Sequence, residues 1–236
     1  MSKISFILHG KLKGSKLVSH IQNTFSNFYE VLFYFTEFSG HASELARQAS
    51  LSNSTYIIST GGDGTLNEVV NGVMLSGNKE VRVGLLPCGT GNDFAKTSRV
   101  SQNIQELKKL IESNSVSEID LGLVNYKNTQ AQNIARYFIN ITDVGIGGSI
   151  AVKLFGSSKW MGAFLTFQKA IVTTFFTYKH QPVKISADSF SYEGKILSCI
   201  VANGKYFGGG MGIAPAAVPN DGFLEIVLAS EISLWD

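Results

Sequence analysis

The sequence predicts an α/β protein of two domains, and two observations carry that prediction. Up to about residue 122, short apolar segments alternate with segments of helical periodicity, an order typical of βαβ units and a mainly parallel sheet. After residue 122 most apolar segments are strand-like, which favours a second domain of antiparallel strands. We therefore assign residues 1–122 to an α/β domain and residues 123–236 to a β-rich domain.

The α/β domain is predicted to contain four strands and five helical segments. The strands are the apolar runs Ile4–Leu8, Val31–Phe35, Tyr56–Ile58 and Val83–Leu86. Helical segments are expected at Lys16–Phe25, Ala42–Leu51, Leu66–Val73, Phe94–Thr97 and Ile104–Glu112. In the third of these, apolar residues recur at intervals of three and four, so they form one face of a helix.

The second domain is predicted to be mostly strands with one helical insertion. The expected strands are Tyr137–Ile141, Val183–Ala187, Ile196–Ala202 and Phe223–Leu228. The stretch Ser149–Tyr178 has helical character, and Gly156 with the two serines after it is expected to break it into two helices.

Composition excludes several classes of protein. The 20 basic and 18 acidic residues give a net charge of +2, so no nucleic-acid partner is expected. Two cysteines are too few for a disulfide framework. The most apolar long run, Met161–Tyr178, contains Gln168 and Lys169 and does not qualify as a membrane span. We expect a cytoplasmic protein, with peripheral membrane contact left open.

The segment Gly61–Glu68 has the composition of a phosphate-binding turn. It follows a predicted strand and opens a predicted helix, and its glycines let backbone N–H groups approach a ligand while the helix N-terminus favours an anion. Asp63 would repel phosphate unless a cation lay between them, so we interpret it as acting through Mg²⁺, directly or through water. The alternative is purely structural, with Thr65 and Glu68 forming a capping box.

A second turn of the same kind, Pro87–Ala95, follows the next strand. Turns at the carboxyl ends of parallel strands face one crevice, so the two turns are expected to share a site. The alternative is a loop in which Asn92 and Asp93 only cap a helix. Near this site, Cys88 is interpreted as a structural thiol, and His41 is placed to approach the site because it follows the second strand.

Together these motifs resemble the catalytic-domain family of diacylglycerol kinases, in its bacterial lipid-kinase branch related to sphingosine kinases. The resemblance runs from Thr36 to Leu228. The Gly-Gly-Asp-Gly core alone is shared with NAD kinases and phosphofructokinases. The extension Asn67–Gly72 and the second motif, Gly89–Ala95, make the match specific.

The resemblance implies an α/β nucleotide-binding domain followed by a β-sandwich-like domain, with ATP and Mg²⁺ as cofactors. The positions that match ATP contacts are Thr36, Gly61, Gly62, Asp63, Gly64, Thr65, Leu66, Asn67, Glu68, Gly89 and Thr90. Asp63, Asp93 and Asp120 match acidic residues of the active site. Asp221, with the carbonyls of Val218 and Phe223, resembles a structural Mg²⁺ site in the second domain.

Two departures from the family pattern stand out. After the first strand the family has an Asn-Pro turn, whereas this sequence has His9-Gly10-Lys11. The family also continues past the strand that resembles Phe223–Leu228 and carries a general-base Glu in an Asp-Gly-Glu motif. This sequence ends at Asp236 without that motif. We expect a truncated chain that lacks the C-terminal part of the family fold.

The expected function is transfer of the γ-phosphate of ATP to a hydroxyl of diacylglycerol or a related lipid alcohol, presented at a membrane surface. Two alternatives stay open: a kinase of a soluble substrate such as NAD, and a non-catalytic relative that binds nucleotide or lipid. The aromatic-rich stretch Phe155–Tyr178, which includes Trp160, would either face lipid or, the reading we favour, pack as a helical hairpin. We also expect a homodimer, but only because dimers are the commonest oligomers of soluble proteins.

Overall fold

The computed structural model describes residues 1–155, 163–188 and 190–231. The chain divides into two compact units. The first unit comprises residues 1–140 and 203–223, and the second comprises residues 141–202 and the chain from 224 onward.

The first unit is built on a four-stranded parallel sheet. Its strands are β1 (Ser2–Leu8), β2 (Tyr29–Phe35), β3 (Tyr56–Gly61) and β4 (Arg82–Pro87), in the order β2-β1-β3-β4. All three pairings are parallel. The predicted parallel sheet is confirmed, and each strand contains the apolar run that predicted it.

Five α-helices accompany this sheet. They are α1 (Lys16–Phe25), α2 (His41–Leu51), α3 (Asp63–Ser76), α4 (Asp93–Ser98) and α5 (Ile104–Glu112). Helix α3 ends at Ser76 and is capped by Gly77, whose φ of 70° is a left-handed conformation that glycine adopts without steric cost. Helices α1 and α5 have the bounds that the sequence predicted.

The alternation of side chains along β1 separates two hydrophobic cores. Ile4, Phe6 and Leu8 face a core with α1 and α5, whereas Ile7 faces a core with α2 and α3. Because the side-chain period of a strand is two, buried residues on both faces require helices on both sides of the sheet. The first unit is therefore a three-layer α/β arrangement.

Two antiparallel hairpins complete the first unit. One pairs β5 (Gly122–Lys127) with β6 (Asn133–Phe138), and the other pairs β10 (Tyr206–Phe207) with β11 (Met211–Gly212). The sequence did not predict β5, because its outer half is exposed and polar and lacks an apolar run.

The second unit contains a four-stranded antiparallel sheet. Its elements are β7 (Ile141–Gly145), α6 (Ile146–Phe155), α7 (Ala163–Thr177), β8 (Gln181–Ala187), β9 (Phe190–Ala202) and β12 (Glu225–Ser230). The long strand β9 pairs with each of the other three strands. The predicted antiparallel domain with a helical insertion is confirmed, whereas the predicted helix break at residues 156–158 lies outside the described residues. No helix in the described ranges is long and apolar enough to cross a membrane.

The predicted strand Tyr137–Ile141 is wrong as a single element. Strand β6 ends at Phe138 and β7 begins at Ile141, so the prediction joined the ends of two strands. Asn140 interrupts them because its carbonyl accepts hydrogen bonds from the N–H groups of Asn203 and Gly204, at 2.7 and 3.1 Å.

The compact units do not follow one boundary in the sequence. The buried side chain of Asn203 donates to the carbonyls of Asp120 and Ile139, both at 2.8 Å, and so attaches residues 203–223 to the first unit. The predicted division at residue 122 follows sequence order, and this returning segment crosses it.

Candidate functional site

The two glycine-rich turns touch each other through their backbones. The N–H of Cys88 donates to the carbonyl of Gly61 at 2.8 Å, which continues the pairing of β3 and β4 into the turns. A Cβ on Gly89 would lie 2.4 Å from the Cα of Gly62, closer than any side chain tolerates. Position 89 therefore requires glycine, whereas a Cβ on Gly62 would lie at a tight but less severe 3.2 Å from the Cα of Gly89. The two turns form one continuous surface at the carboxyl edge of the sheet.

Asp63 links the first turn to the second. Its two carboxylate oxygens accept from the N–H groups of Asp93 and Phe94, at 3.1 and 3.0 Å. These N–H groups belong to the first turn of α4, where the helix dipole favours a negative charge. Asp63 thus has a structural role beside the one that the sequence predicted, because it holds α4 against the start of α3.

Asn92 shapes the second turn from within. Its side chain accepts from the N–H of Gly89 and donates to the carbonyl of the same residue, at 3.0 and 2.8 Å. Its backbone has a φ of 51°, and its side chain makes no capping bond to α4. The alternative in which Asn92 caps this helix is therefore wrong, because Asp63 occupies that place.

Asp93 connects the second turn to the β10–β11 hairpin. This buried carboxylate accepts from the N–H of Gly209 at 2.8 Å and from the Nζ of Lys96 at 3.1 Å. The three glycines at 208–210 all have positive φ, which fits the tight turn that brings the Gly209 N–H inward. The glycine run is visible in the sequence, but nothing within it predicts the contact with Asp93, which lies 116 residues away.

Glu68 does not form a capping box. Its carboxylate oxygens accept from the N–H groups of Gly40 and Ala42, at 2.9 and 3.2 Å, at the start of α2. The N-cap of α3 is Gly62, so Thr65 lies inside the helix and does not cap it. The capping-box alternative is wrong, and Glu68 instead holds the loop after β2 against α3.

Thr36 follows β2 and meets the turn after β1. Its hydroxyl accepts from the N–H of Gly10 at 3.2 Å. A Cβ on Gly10 would clash with the Thr36 carbonyl, so the two segments pack too closely for another residue there. In place of the family's Asn-Pro turn, the side chain of His9 accepts from the N–H of Lys11 and starts a short 3-10 turn.

The extension of the first motif has structural explanations. Leu66 packs in a core with Val70 and Phe94. The buried amide of Asn71 exchanges hydrogen bonds with the backbone of Tyr137 in β6, at 2.9 and 3.0 Å. These side chains fix the position of α3, whereas Gly64 and Thr90 are exposed at the edge of the turns.

Asp120 and Asp221 both accept hydrogen bonds from the backbone of the turn at residues 221–223. Neither residue belongs to the two glycine-rich motifs. Asp120 accepts from the N–H of Gly222 at 2.8 Å, and Asp221 accepts from the N–H of Phe223 at 3.0 Å. Val218 and Phe223 are exposed beside them. Within the described ranges, no cluster of three or more His, Cys, Asp or Glu side chains is arranged to hold a metal. The predicted set of one carboxylate and two carbonyls is of a different kind and stays a prediction.

Desolvation raises the pKa of the Cys88 thiol, which lowers its thiolate fraction at neutral pH. A thiol in this state is a poor nucleophile, although the residue itself is exposed.

Comparison with known families agrees with this geometry. Residues 3–124, just over half of the chain, match the diacylglycerol kinase catalytic domain. The chain belongs to this family. Residues 142–235 match a second family, described as the YegS C-terminal NAD kinase beta sandwich-like domain. The resemblance to diacylglycerol kinases is thereby confirmed, and the chain is by class a kinase, a phosphotransferase.

Individual relatives extend along most of the chain. It is 26% identical over 227 residues to "Probable lipid kinase YegS-like" of Alcanivorax borkumensis, covering 96% of this chain and 72% of that protein. It is 28% identical to a diacylglycerol kinase of Bacillus subtilis, covering 87% of this chain and 65% of that protein. A crystal structure of a diacylglycerol kinase from Bacillus anthracis superposes with a TM-score of 0.65 at 25% identity, covering 97% of this chain and 76% of that one.

Proposed function

We propose that this kinase transfers the γ-phosphate of ATP to a lipid hydroxyl, with Mg²⁺ as the metal. The observation that carries the proposal is the start of α3. Helices α2 and α4 each receive a carboxylate from α3 at their N-termini, from Glu68 and Asp63. None of the described side chains bonds to the first N–H groups of α3 itself.

The open N-terminus of α3 favours the binding of phosphate there. Free N–H groups and the positive end of a helix dipole attract anions, and Gly61 and Gly62 let a phosphate approach the backbone. The N-termini of α2 and α4 are neutralised by carboxylates and would attract phosphate less. The β- and γ-phosphates of ATP are therefore assigned to the start of α3 and the adjoining second turn.

The residues present fit a Mg²⁺ ion near Asp63. An ionised carboxylate has about four acceptor sites, and Asp63 uses two of them for the N–H groups of α4. Mg²⁺ is commonly held by one or two carboxylates together with substrate phosphates. When bound, the ion would offset negative charge on the transferred phosphoryl group. Asp221 with the carbonyls of Val218 and Phe223 is proposed as a second oxygen-ligand site.

The lipid acceptor is supported by the named relatives and by the surface of α7. Leu165, Val172 and Phe176 are exposed and lie on one stripe of this helix, because they are seven and four residues apart. Lys169 lies on the same stripe, and Ala170 and Thr174 on the buried side. An exposed apolar stripe with a cation is typical of helices that lie on membranes.

Charge favours an anionic phospholipid surface as the occupant of this stripe. Residues 144–187 contain five lysines and no aspartate or glutamate. Each lysine or arginine close to an anionic lipid surface contributes about 1 kcal/mol to the attraction. Trp160 lies outside the described residues, as do the side chains of Phe155, Phe164 and Phe167, so this argument rests on the described part of α7.

Transfer of labelled γ-phosphate from Mg-ATP to lipids in detergent micelles tests the proposal. Asp63→Asn should reduce the label in lipid about 100-fold or more, while Asp188→Asn, a change at an exposed carboxylate of the second unit, should preserve it. Label in NAD would instead establish the soluble-substrate alternative. ATP binding without transfer to either acceptor would support the non-catalytic alternative for this chain.

The membrane surface has its own test. Phe176→Ser with Lys169→Gln should reduce sedimentation with vesicles that contain phosphatidylglycerol and leave ATP binding unchanged. Phe190→Ser removes another exposed phenylalanine and is the matched control. Unchanged sedimentation would reject the surface, and a change in oligomeric state instead would identify a second copy of the chain as its occupant.

A further inference from the structure

The loop after β2 carries an exposed aromatic pair. The rings of Phe38 and His41 are stacked, with centroids 4.5 Å apart and planes within 3° of parallel. Phe38 is nevertheless 55% exposed. Because His41 covers one face of the phenyl ring, the exposed area is mainly its other face.

The pair is held in place at several points. The Nδ1 of His41 accepts from the N–H of Glu37 at 3.1 Å, so in the neutral ring the proton lies on Nε2 and the ring cannot turn freely. Glu68 binds the N–H groups of Gly40 and Ala42, on both sides of His41. The loop is therefore attached to α3, the helix that begins at the first glycine-rich turn.

The loop that carries the pair and the first glycine-rich turn lie at the same edge of the sheet. The loop begins at the carboxyl end of β2, on the same edge of the sheet as the turn after β3. One strand, β1, lies between β2 and β3, so their ends are roughly 10 Å apart. A ligand whose phosphates lie at the start of α3 and which extends along this edge would bring its base over the loop.

We propose that Phe38 is the stacking platform for the base of the bound nucleotide, with His41 as its support. The proposal rests on the proposed function, since it takes the phosphate position from it. Flat aromatic rings stack on nucleobases through their π-faces, and an exposed phenylalanine in a fixed orientation provides such a face without an ordering cost at binding. Phe38 would then contribute to the affinity for ATP through its base and would not affect the binding of a ligand that has only the phosphates.

The test compares two ligands that share their phosphates. Binding of Mg-ATP and of Mg-tripolyphosphate is measured by calorimetry for the unchanged chain, Phe38→Ala, Phe38→Trp and Phe28→Ala. Phe28 is the matched control because it is 57% exposed and directly precedes β2, at the opposite end of the strand. The tryptophan variant should also lose fluorescence when ATP binds, because a stacked base quenches an indole.

The expected result is a loss of ATP affinity in Phe38→Ala of roughly 5- to 150-fold, the range that base stacking spans. Tripolyphosphate affinity should be unchanged, and Phe38→Trp and Phe28→Ala should bind ATP like the unchanged chain. If Phe38→Ala lost affinity equally for both ligands, or kept its affinity for both, the proposed stacking role of Phe38 would be wrong. If the unchanged chain bound neither ligand, the proposed function would fail before this inference was reached.

Discussion

Helix α3 and its neighbours α2 and α4 begin at the same edge of the sheet, yet their N-termini meet different partners. Carboxylates of α3 occupy the N-termini of both neighbours, whereas α3 begins at Gly62 with its first N–H groups unused by described side chains. A helix N-terminus satisfied within the protein stabilises the fold, and one left open is available to an anion. The comparison therefore separates the scaffold of the site from its binding surface.

Asp63→Asn should have the largest effect, because Asp63 belongs to both parts. The amide loses the charge that attracts Mg²⁺, and its NH₂ group would face an N–H of α4. Phosphotransfer is expected to fall about 100-fold or more. Steady-state kinetics across Mg²⁺ concentrations measure this. Rescue of the rate by high Mg²⁺ would show that weaker metal binding explains the loss and that the link to α4 matters little.

Gly89→Ala should disrupt the contact between the two turns. The new Cβ would lie 2.4 Å from Gly62 Cα, so the backbone must move, at a cost of about 1–3 kcal/mol in the free energy of unfolding. Urea denaturation measures it. Gly64→Ala is the control, since a Cβ there meets no atom within 4 Å and alanine favours a helix. Equal stability of the two variants would contradict the close approach.

Glu68→Gln should lower stability by about 1 kcal/mol, the typical value of an N-terminal helix cap. The effect should be confined to α2 and the loop before it, because both hydrogen bonds end there. Hydrogen exchange should show faster exchange at Gly40 and Ala42. Faster exchange across α3 instead would mean that Glu68 stabilises its own helix.

Asp143→Asn extends the comparison to the second unit and should have the smallest effect. Burial raises the pKa of Asp143, partly opposed by hydrogen bonds from Ser198 and Gly147. A raised folded-state pKa means that its contribution to stability is full below the unfolded value of about 3.9 and is lost as pH rises through the folded pKa. The asparagine variant should lack this loss. If the stability of the unchanged chain and of Asp143→Asn varied with pH in the same way, the loss could not be attributed to the titration of Asp143.

Local patterns predicted the elements whose causes are local. The bounds of helices α1 and α5 agree to the residue with the predicted ones, because the signals for each helix lie within its own segment of the sequence. The break at Asn140 was missed because its partners, Asn203 and Gly204, lie more than sixty residues away. The strand β5 was missed because an exposed hairpin needs no apolar run.

The candidate site divides in the same way. Two glycine-rich turns that follow strands, with Asp63 in the first of them, could be predicted from the residues alone, because glycine content and the order of the strands are local features of the chain. The N–H groups that each carboxylate accepts from could not be predicted in this way, because they depend on how the chain folds. Glu68 reaches α2, Asp63 reaches α4, and Asp93 reaches Gly209. A carboxylate bonds to whichever donors folding brings to it, and these lie 28, 31 and 116 residues away.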